Sequence, residues 1–161
     1  MLRILKILLV LFIGLHALFY ALQNLVNLEQ AHAAIGYVLS NQGHEVYPNS
    51  MFFAVTNPVL LWCALWLVIL GEFAIGYFGT KGAWDMFAVR NDTAERFHSA
   101  KTNGVIAAAL ALLVWFGFFM TFGAAFFQMW QTEVGAGSME GAFMYSMASA
   151  ITMIFVCITK D

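Results

Sequence analysis

Four long apolar segments dominate the sequence and constrain the fold more than any other feature. A helix needs about 20 mainly apolar residues to cross roughly 30 Å of hydrocarbon. Segments of this kind cover about 4–26, 58–79, 103–127 and 141–158. We therefore predict an all-α, polytopic membrane protein, in which residues 1–161 form one domain built on a bundle of four transmembrane helices.

Composition agrees with lipid as the main solvent of the chain. Hydrophobic residues make up 62% of it and charged residues 10%, whereas a soluble domain carries about a quarter charged residues. The net charge of −2 argues against a nucleic-acid partner, which would favour a basic face. Cys63 and Cys157 are expected near opposite faces of the bilayer, so no disulfide is predicted.

The first apolar segment is predicted to be a retained anchor. Arg3 and Lys6 precede or open it as they would a signal peptide, but its apolar run exceeds the 7–15 residues of a signal h-region. The plausible cleavage motif, Ala31-His32-Ala33, lies well past its end. The segment is therefore counted among the four spans.

The basic residues predict the orientation of the bundle. All seven fall in the N-terminal tail, the second connection or the C-terminal tail: Arg3, Lys6, Lys81, Arg90, Arg96, Lys101 and Lys160. The first and third connections contain no basic residue. Because Lys and Arg are retained on the cytoplasmic side, both termini are expected in the cytoplasm.

The two longer connections differ in predicted structure. The periplasmic loop, 27–57, is expected to hold a surface helix over 28–39 and then a polar loop. The cytoplasmic connection, 80–102, is expected to form a helical hairpin that turns at 91–93. Asp92 followed by Glu95 resembles a capping box, and a helix unbroken from there to Phe127 would be about 50 Å long.

Glu72 is the one carboxylate inside a predicted span. A charge at that depth costs a few kcal/mol or more and usually faces the bundle interior with a partner. Two readings remain open. Glu72 is either a proton- or cation-binding group or a structural glutamate that fixes helix register.

A polar stripe on the first span is predicted to face inward. His16, Tyr20, Gln23, Asn24 and Asn27 share one helix face, and lipid offers these groups no hydrogen bonds. His16 and Glu72 have similar expected depths, so the two would form a candidate proton relay. The favoured alternative is that the stripe forms interhelical hydrogen bonds that hold the helices together, each contributing about 0.6 kcal/mol.

Small and aromatic residues of the last two spans indicate helix packing. Small side chains let helices approach closely, and the candidates are Gly104, Ala108, Ala111, Ser146 and Ser149. Trp130, at the outer end of the third span, is typical of an interfacial aromatic belt. The many phenylalanines of that span occupy several helix faces, so some are expected to meet lipid or a partner subunit.

No sequence pattern points to catalysis or to a cofactor. Haem ligation by two intramembrane histidines is excluded by count, since His16 alone lies within a span. His44-Glu45 is a weak metal signal, and neither cysteine has metal-ligand spacing. We therefore expect no cofactor, no metal site and no enzymatic activity.

The order of segments resembles a bacterial family of predicted small integral membrane proteins, a domain of unknown function. Four stretches carry the resemblance, which extends over nearly the whole chain: Leu65-Trp66-Leu67 leading to Glu72, Phe97-His98-Ser99-Ala100-Lys101, Trp115-Phe116-Gly117-Phe118 and Met129-Trp130-Gln131-Thr132. The resemblance implies the fold and a bacterial inner membrane. It implies no activity.

Two functional hypotheses follow. The leading one is a non-catalytic membrane subunit that self-associates or joins a larger membrane complex, because a four-helix bundle exposes more aromatic surface than it can bury. The alternative is a small oligomeric transporter or channel that uses Glu72 and His16 as an ion- or proton-binding pair. In both cases the lipid bilayer and other membrane subunits are the expected partners.

Overall fold

The computed structural model describes residues 1–50 and 52–161, and within them the chain is helical without strands. The elements are α1 (Leu2–Val26), α2 (Leu28–Leu39), α3 (Pro58–Ala88), α4 (Ala94–Ala100), α5 (Thr102–Ala111), a π-helical segment (Leu112–Phe126), a 3-10 turn (Met129–Gln131) and α6 (Glu133–Ile158). Four stretches are long and apolar enough to cross a membrane: Leu2–Val26, Pro58–Ala88, Ala94–Phe126 and Glu133–Ile158. The predicted all-α, four-span architecture is confirmed.

Local capping explains where two of the spans begin. The Asn57 side chain accepts hydrogen bonds from the backbone N–H groups of Val59 and Leu60, at 2.9 and 3.4 Å. Pro58 takes the first helical position, where its missing N–H costs nothing. Thr132 caps α6 by accepting from the N–H of Gly135 at 3.1 Å. Because of that cap, α6 begins eight residues before the predicted fourth span.

The turn between α3 and α4 differs from its prediction in one detail. Thr93, and not Asp92, is the cap of α4, because its hydroxyl accepts from the N–H of Arg96 at 3.4 Å. The turn lies against the start of α1, since Arg3 donates to the backbone oxygens of Arg90 and Asp92 at 2.9 and 2.6 Å. The bundle end that holds this turn and both chain termini is called the terminal end below.

The third span runs continuously over Ala94–Phe126, but it is not one regular α-helix. It has a turn at Lys101, between α4 and α5. It then changes from α- to π-helical geometry at Leu112, as the N–H of Phe127 bonding to the oxygen of Phe122 at 2.8 Å illustrates. A π-helix joins residues five apart and is rare over more than one turn. The 3.6-residue period therefore does not decide which rings of this segment share a face.

Glycines bring α1 and α3 into close antiparallel contact. A methyl group on Gly79 would lie 2.6 Å from the Cα of Gly14, and one on Gly14 would lie 2.9 Å from the backbone nitrogen of Thr80. One turn further along α1, Leu18 occupies the space beside Gly76. Side chains larger than hydrogen cannot be placed at such contacts without moving a backbone.

Two apolar clusters fill the interior of the bundle. One lies nearer the terminal end: Ile7, Val10, Ala83, Met86, Phe97 and Val156. The other lies further along: Ile13, Ala17, Ile75, Ala108, Ala111, Val114, Trp115 and Ala142.

Candidate functional site

Glu72 is buried between α1 and α3, with 2% of its surface exposed. The side-chain amide of Asn24 donates to its Oε2 atom at 2.9 Å. Among the described residues no Lys, Arg or His lies within ion-pair distance of this carboxyl group. An amide therefore takes the place of the partner that a buried acid requires.

His16 makes no hydrogen bond or ion pair with Glu72 in this structure, so the candidate His–Glu pair is not formed there. Asn24 lies eight residues after His16 on α1, about 12 Å along the helix axis, and it is Asn24 that reaches the acid. His16 packs instead among three aromatic rings, with centroid distances of 5.0 Å to Tyr20, 5.3 Å to Trp115 and 4.4 Å to Tyr145. Its buried Nε2 atom has no hydrogen-bond partner in the described chain.

The rest of the predicted stripe is divided between the interior and the surface. Tyr20 is 37% exposed, although its hydroxyl bonds to that of Tyr145 on α6. Gln23 and Asn27 are also exposed, and the Asn27 amide bonds back to the Gln23 carbonyl at 2.9 Å. The inward face was thus misassigned at these three positions, and at Asn27 the reason is that α1 ends at Val26.

The predicted packing residues are all buried in the structure, although this does not by itself test a function for them. Gly104, Ala108 and Ala111 lie on the inner side of α5, and Ser146 and Ser149 on that of α6. Gly104 meets both Gly82 of α3 and Val10 of α1, at distances that exclude a larger side chain. Three helices therefore converge at Gly104.

Trp130 and its neighbours connect the third and fourth spans to the long first loop. The Trp130 ring meets the Tyr47 ring edge to face at 5.4 Å. The Gln131 side chain accepts from the Tyr47 N–H at 2.6 Å and donates to the Tyr47 carbonyl at 3.3 Å and to Gln128 at 2.6 Å. The Met-Trp-Gln stretch thus anchors the loop across the end of the bundle opposite the terminal end.

A cavity of about 590 Å³ lies between α2, α3, the π-helical segment and the start of α6. Its walls are almost entirely apolar, and Asn24 is one of two polar residues that line it, Ser138 being the other. Val68 of the wall lies one helical turn before Glu72. Asn24 is therefore the polar floor of an apolar cavity, and Glu72, to which it donates, does not itself line the cavity. The sequence pattern did not reveal this arrangement.

A second feature missed by sequence reasoning is a buried ion cluster at the terminal end. The Asp161 carboxylate lies 2.5 Å from the ammonium group of Lys6 and 2.6 Å from that of Lys101. Lys6 also donates to the carbonyls of Thr159 and Lys160, at 2.7 and 3.3 Å. The positions of Lys6 and Lys101 along the chain predict topology. No local sequence pattern links them to Asp161, which is some 155 and 60 positions away.

The lysines determine the charge state of Asp161. Burial alone raises the pKa of this carboxyl group, but hydrogen bonds and charge attraction from Lys101 and Lys6 lower it more, so the pKa lies below the ordinary 3.8. The cluster ties the segment after α6 to α1 and α5. A structural role accounts for it, since the interaction joins three helices and leaves no open site.

The whole chain can be compared with known families. Residues 2–159 match the model of the family described as "Predicted small integral membrane protein (DUF2165)". The chain belongs to this family. The family description gives the integral membrane location and no activity, in agreement with the resemblance drawn from the sequence. No curated protein and no solved structure matches the chain.

The described residues hold no group of three or more His, Cys, Asp or Glu side chains that could bind a metal ion. His32 stacks on Trp62 at 4.1 Å between ring centroids, and no such group includes His44 or Glu45. The absence of a cofactor stays a prediction. Among the described residues, the clearest candidate site for a small-molecule ligand is the apolar cavity with its polar floor.

Proposed function

We propose that this protein is a non-catalytic subunit of the bacterial inner membrane that associates with a second copy of itself, with both termini in the cytoplasm. The main support is a pair of glycines on the outer side of α6, Gly137 and Gly141. A methyl group on Gly137 would meet nothing within 4 Å, and one on Gly141 would meet Tyr145 of the same helix. Glycine in a helix costs about 1 kcal/mol relative to alanine, and the atoms nearest to these two glycines include none from another helix.

The contrast with the interior glycines supports this interpretation. Gly14, Gly79 and Gly104 allow neighbouring helices to approach closely. Gly137 and Gly141 have the spacing that brings two membrane helices together through their backbones. The surrounding surface of α6 is apolar, with exposed Phe143 and Met144. A second α6 packed on this face would give the glycines the contact that they lack.

The oligomeric state tests the subunit proposal. The expected result is a dimer or larger assembly when the protein is sized in lipid nanodiscs or by native mass spectrometry after mild extraction. Gly137→Leu and Gly141→Leu should each shift the population toward the monomer. Met144→Leu, on the same face, is the matched control and should not. A wild-type particle that is strictly monomeric and carries no co-purifying protein would refute the proposal.

Support for the cytoplasmic termini comes from charge. Arg3, Lys6, Arg90 and Lys101 lie together at the terminal end, and basic residues near spans are retained on the cytoplasmic side. Reporter fusions decide the matter. A green fluorescent protein fused after Asp161 should fluoresce, whereas alkaline phosphatase inserted at His44 should be active. The opposite pattern would invert the topology.

Transport remains the second candidate because Glu72 is a buried acid without a cation partner among the described residues. The structure does not favour the original Glu72–His16 pair, because the group that reaches Glu72 is the Asn24 amide. Reconstituted vesicles provide the test. If Glu72→Gln and His16→Ala leave every measured proton and cation flux at the wild-type value, the transport hypothesis fails.

A further inference from the structure

The cavity described above opens toward the surface that lipid would cover. Among its lining residues, Leu67, Phe122 and Val134 are each more than half exposed. Leu65 and Met129, on the opposite wall, are buried. A molecule dissolved in the bilayer could therefore enter from the side without crossing water. A volume of about 590 Å³ lies within the range of small-molecule sites.

Aromatic rings form one wall of the cavity. Phe118, Phe119, Phe122 and Phe127 all come from the π-helical segment and the residue after it. Phenyl rings pack on other aromatic rings in offset or edge-to-face geometry, and each such pair adds stabilisation beyond the burial of area. An aromatic occupant would gain this stabilisation, and a plain acyl chain would not.

The polar floor needs hydrogen-bond donors. The Asn24 amide nitrogen already donates to Glu72, and no described residue donates to the side-chain oxygen of Asn24. Lipid tails have no donor to offer. An unsatisfied acceptor in an apolar site costs free energy that a donor on the ligand would recover.

We propose that this cavity binds a lipid-soluble phenol or hydroquinone, with the ring against the phenylalanine wall and a ring hydroxyl donating to the side-chain oxygen of Asn24. The assignment concerns binding alone and includes no chemical step. Gly137 and Gly141 are not among the lining residues, so ligand binding and self-association are measured as separate outcomes.

Two ligands that differ in one group test the proposal. para-Octylphenol and para-octylanisole have the same ring and tail, but the anisole lacks the hydroxyl hydrogen. Saturable binding is measured as the change in tryptophan fluorescence against ligand mole fraction in nanodiscs of phosphatidylethanolamine and phosphatidylglycerol. Loss of one hydrogen bond should weaken binding of the anisole about 3- to 10-fold. Octylcyclohexanol, which keeps the hydroxyl without the aromatic face, should also bind more weakly than the phenol.

Variants place the binding in this cavity. Ala64→Phe fills the space from α3 and should abolish saturable binding, because Ala64 lines the cavity. Cys63→Phe adds the same ring one residue away, at an exposed position that does not line the cavity, and should bind as the wild type does. Asn24→Leu should make the phenol and the anisole bind equally.

The proposal is overturned by any of three results: non-saturable binding of the phenol, equal wild-type affinity for the phenol and either comparison ligand, or wild-type affinity in Ala64→Phe. Circular dichroism and sizing in nanodiscs establish that each variant is folded. If Asn24→Leu does not fold, the wild-type ligand comparison and the Ala64/Cys63 pair still decide the question. Oligomer sizing of the same samples tests the self-association proposal separately from ligand binding.

Discussion

Asp161→Asn removes the carboxylate that faces two buried ammonium groups at the terminal end. The side chain of Lys6 is fully buried and that of Lys101 nearly so, and Asp161 lies 2.5 and 2.6 Å from them. Asparagine preserves the shape of the side chain and removes its charge. We expect this substitution to destabilise the protein more than any single change at an exposed ion pair.

The expected loss of stability depends on which hydrogen-bond acceptors each lysine retains in Asp161→Asn. Removing one partner of a buried pair typically costs 3–5 kcal/mol, because the remaining charge is buried without compensation. Lys6 keeps the carbonyl oxygens of Thr159 and Lys160 as acceptors, which offsets part of the loss. We therefore expect about 3 kcal/mol, near the lower limit of that range.

Equilibrium unfolding in mixed micelles, followed by circular dichroism, measures this cost. Asp92→Asn is the matched control, because the Asp92–Arg96 pair is exposed and such pairs contribute about 0.2–1 kcal/mol. Adding Lys101→Met to Asp161→Asn should recover part of the lost stability, since it removes one uncompensated charge. If Asp161→Asn costs no more than Asp92→Asn, the buried-cluster argument is wrong.

Three further predictions concern pH, packing and the loop. The pKa of Asp161 in the folded protein lies below 3.8. The contribution of Asp161 to stability should therefore be constant above pH 3.8 and decline as the pH falls through the folded pKa. A difference in stability between the wild type and Asp161→Asn that widens on acidification would contradict this. Gly79→Ala should cost about 1–3 kcal/mol through overpacking, whereas Gly117→Ala, whose nearest atom would lie 4.0 Å away, should cost far less in the same unfolding assay. Gln131→Leu should increase hydrogen exchange at Tyr47 by removing both bonds to its backbone, with exposed Gln30→Leu as the unchanged control.

Much of the fold follows from local chemistry. Pro58 and Asn57 mark the start of α3 because capping depends on neighbouring residues. The surface helix predicted over 28–39 is α2, Leu28–Leu39. The site was less predictable. The sequence made Glu72 a candidate because a buried acid is costly wherever its helix packs, but its partner depends on how α1 and α3 align, and that alignment favours Asn24 over His16.

The sequence by itself determined that the chain is a four-span membrane protein, because each of four mainly apolar segments has the length of a helix that crosses a bilayer. It also determined that Glu72 would need a partner. Only the tertiary structure decided which one, because side chains distant in sequence meet through helix packing. The same holds for the Lys6–Asp161–Lys101 cluster and for the cavity above Asn24. Each arises where separate helices converge, and no local pattern of residues records that convergence.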